Sequence, residues 1–464
     1  MKILVFGTGK YCQYYKKFLA LKDIVAYLDN DCAKHGKNID GIPILSPEEG
    51  IKKTYDRIYI LSASRREIKA QLILMGIREN VIYYTYDLGD IYIKKDIKIY
   101  GNLNLNKKKD CINDEGKKSI LLISHSMELS GASIVLFYLA KVLRQNGYFV
   151  VVAGESAGDL ISHLLEWDIP VIIDETLMIR RLTEFTWIKN FKKILINTAV
   201  LSHLLLGKKI NTPIIWWLHE SRECYTSLIC DQISAIQQDN LAVYAVHDEG
   251  KKIYNSYTHS SISQDLFYGI PDHYNIKLGK ETNLKPIFAI IGVLEKRKAQ
   301  DIFLKAINLL GCVYRKKAEF LIVGDCEHDE LFAKKIIEEA AIYPEVKVTG
   351  KCNRKGIDDI YKKITILVCP SLDDPMPVVV TESMMMHKPC IVSNLSGQAK
   401  FIEPKKNGLI CIAGDALDLA DKIKWVIDNP IQCINMGIES RKIYDEFFSI
   451  NVFEKNVLKI FAER

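Results

Sequence analysis

The chain has 464 residues, 48% of them hydrophobic and 26% charged, with twelve cysteines and a formal net charge of +6. That length exceeds one ordinary core and predicts about three domains, and the composition excludes a disordered chain. The cysteines stand singly, with no C-x-x-C pair and no Cys/His cluster at zinc spacing, which excludes a readable disulfide framework or structural metal and fits a reduced cytosolic setting.

The opening MKILVFGTGKY is too short an apolar run for a signal peptide and reads as a first strand. From Met1 to Ile99, short apolar runs (KILVFG, DIVAYLD, RIYILS, VIYY) alternate with helical patterns, the mark of parallel βαβ units, so 1–99 is expected to be a small Rossmann-like domain. Gly7 and Gly9 follow the first strand and Asp29 ends the second, but Cys12 takes the third glycine position of a dinucleotide fingerprint. A docking or regulatory module is therefore expected, not a hydride-transfer site. Residues 100–118 are poor in apolar side chains and rich in Asn, Lys and Gly, the composition of a linker.

The alternation restarts with SILLISHS and runs through FVVVAG, PVIID, KKILINT and TPIIWWLHE, giving a second α/β domain over 119–272. Within it, ILINTAVLSHLLLG is too short and too polar for a membrane span, so the chain is not expected to cross a bilayer. Residues 177–195 mix Arg180, Arg181, Lys189, Lys192 and Lys193 with Phe185, Trp187 and Phe191, a pattern that suggests reversible contact with an anionic membrane surface. Lys107 to Lys109 form another basic cluster, and no nucleic-acid partner is expected.

A third set, from PIFAIIG through EFLIVGD, VKVTG, ITILVCPS and PCIVS, makes 273–464 another doubly wound domain. Two such domains in tandem create a cleft between the carboxyl ends of two parallel sheets, where ligands of open α/β sheets bind. In DDPMPVVVTESMMMHKPCIVS, a helix is expected to start near Pro377. Asp374 then lies in the preceding loop and Glu382 one turn in, while the backbone N–H groups of Met376 and Val378 can meet a phosphate. Acceptors for sugar hydroxyls beside donors for phosphate suit a nucleotide sugar. The spacing alone equally allows a helix cap and an exposed glutamate.

That segment resembles the E-x7-E stretch of family 4 glycosyltransferases of GT-B fold, with Asp374 where the family usually has its first Glu. LSGASIVLFYLA is similar to the family's Gly-rich first loop, WWLHES to its histidine segment, FYGIPD to the entry into the second lobe, and IGVLEKRKAQD to its phosphate-binding stretch. Over 119–464 the resemblance implies two doubly wound Rossmann-like lobes facing a cleft, preceded by the third small domain, with final helices packing back on the first lobe. It implies that Glu382 holds the ribose, Asp374 contacts the donor sugar, and Lys298, helped by Arg297 beside Gly292, neutralises the departing diphosphate. His219 and Gly131 are placed near the donor.

The expected activity is retaining, metal-independent transfer from a UDP- or GDP-sugar to a glycan or lipid-linked acceptor in cell-surface polysaccharide synthesis. The resemblance implies no cofactor, and a cytoplasmic site of work, peripheral on the inner face of the membrane. A nucleotide-sugar epimerase or a catalytically silent scaffold of the same fold are the alternatives. Two positions depart from the family pattern: Val293 stands for the usual arginine, and Lys400 for a frequent carboxylate. Residues 1–99 resemble the Rossmann-like domains of bacterial surface-polysaccharide enzymes.

Overall fold

The computed structural model describes residues 1–92, 97–103, 105, 118–258, 262, 264–273, 285–327 and 329–462. Most of the 100–118 stretch, including Lys107 to Lys109, and residues 274–284 near the start of the expected 273–464 domain lie outside the described residues. The chain divides into two compact units. The first comprises Met1–Trp217, Cys224–Val243 and Ile253–Ser261; the second comprises Leu218–Glu223, Tyr244–Lys252 and Ile262–Arg464.

Three sheets account for the alternation seen in the sequence. In the first, β1 (Ile3–Phe6), β2 (Ile24–Leu28), β3 (Asn38–Ile39), β4 (Ile42–Leu45), β5 (Arg57–Ile60) and β6 (Ile82–Tyr83) take the order β3-β4-β2-β1-β5-β6. All pairings but β3 with β4 are parallel. β1 is wholly buried, as a strand covered on both faces must be.

The second sheet contains β7 (Lys98–Tyr100), β8 (Ser119–Ser124), β9 (Phe149–Gly154), β10 (Val171–Ile173), β11 (Lys193–Asn197), β12 (Ile214–Leu218) and β13 (Leu241–Ala245) in the order β13-β12-β11-β8-β9-β10-β7. Its far edge is β7, antiparallel to β10, with Tyr100 opposite Val171. The chain therefore enters the second sheet before the polar stretch begins. The first two sheets are joined further within the same unit. Tyr14 donates to Glu155, Arg181 Nη2 donates to Asp87 (2.6 Å), and Gly89 N–H donates to the Ile179 carbonyl (3.2 Å).

The third sheet has β14 (Ile287–Ile291), β15 (Glu319–Val323), β16 (Val346–Val348), β17 (Ile366–Cys369), β18 (Cys390–Ser393) and β19 (Gly408–Cys411), all parallel, in the order β16-β15-β14-β17-β18-β19. The order reverses between β14 and β17, and at such a switch point the two connections leave in opposite directions, opening a crevice beyond the strand ends. The core beneath is built from Phe288, Phe303, Phe320, Ile366, Ile391 and their neighbours.

The basic-aromatic segment at 177–195 corrects an expectation. Phe185, Trp187 and Phe191 are 2%, 5% and 1% exposed, and the Arg180 guanidinium covers the Phe185 ring at 4.5 Å. Arg181 is paired with Asp87 and Glu184. Rings committed to the core cannot insert between lipids, so this segment does not form the membrane face predicted for it. No helix among the described residues is long and apolar enough to cross a membrane.

Candidate functional site

The residues singled out in the third domain gather at its switch point. After β14, Gly292 takes a φ of 152°, and its carbonyl packs so closely on Gly324 that a Cβ there would lie 1.8 Å from it. This close crossing directs the chain through Arg297 and Lys298 before Ala299, left-handed at φ 61°, begins the helix Gln300–Leu309. After β17, the loop carries Asp373 and Asp374. The N–H of Gly397 donates to the Asp374 carbonyl (2.9 Å), and a Cβ on Gly397 would fall 1.5 Å from the Pro375 carbonyl oxygen. Only glycine permits that approach.

Lys298 and Asp374 meet directly, with Nζ 2.5 Å from Oδ2. Arg297 Nη1 lies 3.6 Å from the same carboxylate oxygen, donates to the Asp373 carbonyl (3.0 Å), and its Nη2 holds Glu295 (2.6 Å). Asp374 is 5% exposed, so its charge depends on these cations for compensation. An ammonium has three donors, so Lys298 can keep Asp374 and still offer protons to a phosphate.

The helix starts at Val378, one residue later than expected, with Pro377 as its cap, and places Glu382 one turn in. Glu382 accepts from Arg354, and its Oε2 lies 2.9 Å from the Tyr361 hydroxyl. Arg354 and Tyr361 are two turns apart on the helix Arg354–Lys363, hence on one face. Burial disfavours the Arg354 charge, but Glu382 and Asp358 outweigh it and raise the guanidinium further. Burial, then Glu382, raises the Tyr361 hydroxyl well above its ordinary value, so it remains a donor.

The loop entering the helix is braced from below. The Tyr268 hydroxyl donates to the Met376 carbonyl (3.1 Å) and lies 3.0 Å from the Thr381 hydroxyl, while Gln398 Nε2 donates to the Pro377 carbonyl (2.9 Å). These contacts fix the start of the helix, where the Val380 N–H already donates back to the Pro377 carbonyl (3.1 Å), so the N–H groups before it, Val378 among them, open the helix. Intrahelical bonding leaves such groups without partners. Met376 itself is buried.

Beside Asp374 lies a cavity of about 450 Å³ lined by Arg222, His247, Asp373, Asp374, Gly397 and Lys400, among others. Lys400 is spoken for: it pairs with Asp248 (3.3 Å), reaches Asp265 (3.9 Å) and lies over the Phe267 ring (4.6 Å). It is neither a bare solvated lysine nor a ready replacement for the arginine absent at Val293. His247, which sequence reasoning passed over, receives the Gly250 N–H on Nδ1 (2.7 Å), so its own proton sits on Nε2 and goes to the Glu220 carbonyl (2.9 Å). Burial lowers its pKa.

His219 stands one residue past β12, its N–H donating to the Glu220 carboxylate (2.9 Å). It does not line the cavity that holds Asp374; His247 does. In the first unit, Gly131 opens the helix Gly131–Gln145, capped by Ser130 and Ser133. It follows β8, whose neighbours β9 and β11 make this the reversal point of the second sheet.

The N-terminal loop differs. Gly7 has a φ of 106° and a Cβ there would lie 2.7 Å from the Leu61 carbonyl oxygen. Asp29 is consumed locally, accepting from Thr8, the Asp31 N–H (3.0 Å) and Lys34 (3.1 Å). Burial works against its charge, but these donors together hold its pKa below the usual value.

Comparison with known proteins bears on the family and the fold. The family model for glycosyl transferases group 1 matches residues 276–443, that for glycosyl-transferase family 4 matches 116–285, and a C2185-like N-terminal model matches 1–83. A Campylobacter jejuni N,N'-diacetylbacillosaminyl-diphospho-undecaprenol α-1,3-N-acetylgalactosaminyltransferase is 24% identical over 332 residues, covering 70% of this chain and 80% of that one. An uncharacterized glycosyltransferase of Methanocaldococcus jannaschii is 24% identical over 47% of this chain and 56% of its own. A Haemophilus influenzae relative, also an uncharacterized glycosyltransferase, is 27% identical over 39% of this chain and 49% of its own. The chain thus spans about half the length of these last two relatives. Anabaena HepE, crystallised with UDP and glucose, superposes with a TM-score of 0.63 at 16% identity, covering 74% of this chain and 99% of that one. For sucrose-phosphate synthase of Thermosynechococcus elongatus the values are 0.60 and 16%, covering 75% and 98%.

These likenesses establish the architecture as GT-B. Residues 116–443 belong to the family 4-like glycosyltransferases, carried behind a distinct N-terminal domain.

Proposed function

We propose that the protein moves a sugar from a nucleotide-sugar donor to a glycan or lipid-linked acceptor. The observation that carries this reading is the pairing of two buried carboxylates, Asp374 and Glu382, with Lys298, Arg297 and a helix N-terminus at the switch point of one sheet. In the proposed reaction the sugar–phosphate bond breaks, negative charge grows on the diphosphate, and the anomeric carbon becomes positive. Lys298 and Arg297 stabilise the growing phosphate charge, Asp374 orients the sugar hydroxyls, and Glu382, aimed by Arg354 and Tyr361, takes the ribose. Cations fixed before the reaction need no reorganisation as charge develops.

UDP in the Anabaena crystals and the lipid-linked diphosphate in the Campylobacter relative's name support a UDP-sugar donor and a membrane-borne acceptor. Retention at the anomeric carbon, independence of metal, and work at the cytoplasmic face in surface-polysaccharide synthesis complete the proposal.

The test is a thermal-shift screen across UDP- and GDP-sugars, followed by transfer assays on lipid-linked acceptors. A ligand at 100 times its Kd should stabilise the chain by about 2.7 kcal/mol. Stabilisation by one nucleotide sugar, with product retaining the anomeric configuration in chelator, supports the reading. Epimerised donor without transfer identifies an epimerase, and no response to any nucleotide sugar identifies a silent scaffold.

A further inference from the structure

A second cavity, far along the chain from the carboxylate pair, lies within the first unit where the helix Arg65–Leu74 meets the helix Ser227–Ala235. It measures about 760 Å³, within the range of small-molecule pockets, and is lined by Arg65, Arg66, Lys69, Tyr84, Tyr86 and Asp231. Three cations thus face one lining carboxylate. Asp231 is shared by Arg65 (3.3 Å) and Arg66, and Lys69 reaches Glu79.

Arg65 is the unusual member. It is 5% exposed, and its Nη2 donates to the Leu228 carbonyl (2.9 Å), yet buried Nη1 has no hydrogen-bond partner among the described residues. That guanidinium is thus buried in the wall and tied to Leu228 and Asp231, and the partly exposed Arg66 and Lys69 are the cations an arriving anion can reach. The same guanidinium lies 5.1 Å from the centre of the Tyr84 ring, which is tilted against Tyr86 at 5.5 Å. The apolar wall is completed by Ile73 and Leu74, the latter 89% exposed.

Cations beside two aromatic rings and an aliphatic rim match a flat heteroaromatic group that carries phosphate. We infer that this pocket binds a nucleoside phosphate, with the phosphate on Arg66 and Lys69 and the base against Tyr84 and Tyr86. The pocket shares no lining residue with the cavity at Asp374 and joins the first sheet's domain to the second's.

Equilibrium dialysis of the full chain with labelled UDP, GDP and ADP tests this, comparing wild type, Arg66→Ser/Lys69→Ser and Lys298→Ala. Both altered cations of the double variant are partly exposed, so the fold is expected to persist, and circular dichroism checks it. The expected result is one site weakened at least tenfold in Arg66→Ser/Lys69→Ser but unchanged in Lys298→Ala, competed by unlabelled nucleotide and poorly by inorganic phosphate or free nucleoside. If that site appears while none depends on Lys298, the donor proposal fails and this one stands. Nucleotide binding that is indifferent to Arg66→Ser/Lys69→Ser overturns it. So does competition by inorganic phosphate as strong as by nucleotide, which would mean a bare anion site. Flotation with anionic vesicles that is lost in the same double variant would reassign the pocket to a lipid headgroup.

Discussion

The first and third sheets present the same device: a strand, a glycine in the left-handed half of φ, a helix, and an acid on a neighbouring connection. In the first, Asp29 is enclosed by Thr8, Lys34 and the Asp31 N–H, all from its own domain. In the third, each carboxylate is met by side chains from distant elements, Asp374 by Lys298 and Arg297, Glu382 by Arg354 and Tyr361. A carboxylate tied by its neighbours stabilises a loop. Asp29 has a single cation, Lys34, which it shares with Asp31, whereas Asp374 has both Lys298 and Arg297, and two cations on one carboxylate leave positive charge for a ligand. The difference in charge supply, not in fold, separates a structural loop from a candidate active site.

The largest effect that could break this contrast is at Lys298. Lys298→Ala should lower kcat by about 2.7 to 4 kcal/mol in transition-state terms, the cost of one preorganised donor to developing charge. Asp29→Ala should leave kcat unchanged. A wild-type rate in a natively folded Lys298→Ala protein, read by steady-state transfer, would erase the distinction.

Next is nucleotide binding. Glu382→Ala should weaken it by about 1.5 to 3 kcal/mol, as expected for a lost charged hydrogen bond. Asp374→Ala should spare free nucleotide and damage turnover. In calorimetry, NAD should show no saturable binding dependent on Asp29, and finding such binding would make the first loop a ligand site after all.

Arg354→Ala sharpens the comparison at smaller scale. The arginine side chain is 48% exposed, so solvent screens the pair, and the loss in nucleotide affinity should be only about 0.2 to 1 kcal/mol. Isothermal titration that finds Arg354→Ala as damaging as Glu382→Ala would show that aiming the carboxylate matters as much as its charge.

Acid should separate the two regions most gently. Burial depresses the His247 pKa, so between its folded value and the ordinary 6.5 the unfolded chain binds more protons than the folded one. Stability from neutral His247 is complete above about pH 6.5 and is lost as pH falls below it. Asp29 is an acid with a depressed pKa; its contribution is present above about pH 4 and lost only below. Hydrogen-exchange protection, taken relative to the intrinsic rate at each pH from 7.5 to 5, should therefore fall around Gly250 and not around Asp31. Equal responses would refute the assignment.

Much of this architecture was legible because parallel strands buried on both faces are written as continuous apolar runs, as in SILLIS and ILVC. The carboxylate spacing and the phosphate stretch were legible for a similar reason, each lying within one short segment. Arg354 and Tyr361 were not. Their partner is remote in sequence, and on a helix rich in lysine and aspartate an arginine looks like any solvated charge. The segment at 177–195 misled because amphipathic composition does not say which side of a surface the aromatic residues occupy. Phe185, Trp187 and Phe191 chose the interior. His219 and His247 both follow apolar strands, so that signal could not choose between them, and it is His247 that took the cavity wall.

The strand Lys98–Tyr100 has a practical consequence. By lying along β10 it serves as the selvedge of the second sheet, woven from chain that precedes the polar stretch. A protein started near Lys118 would carry Val171–Ile173 as a raw, fully apolar margin with unmet N–H and C=O groups. Such a margin recruits strands from other molecules, so insolubility of that fragment would speak of lost hemming and not of a missing catalytic group. Starting the chain before Lys98 instead should restore the hem.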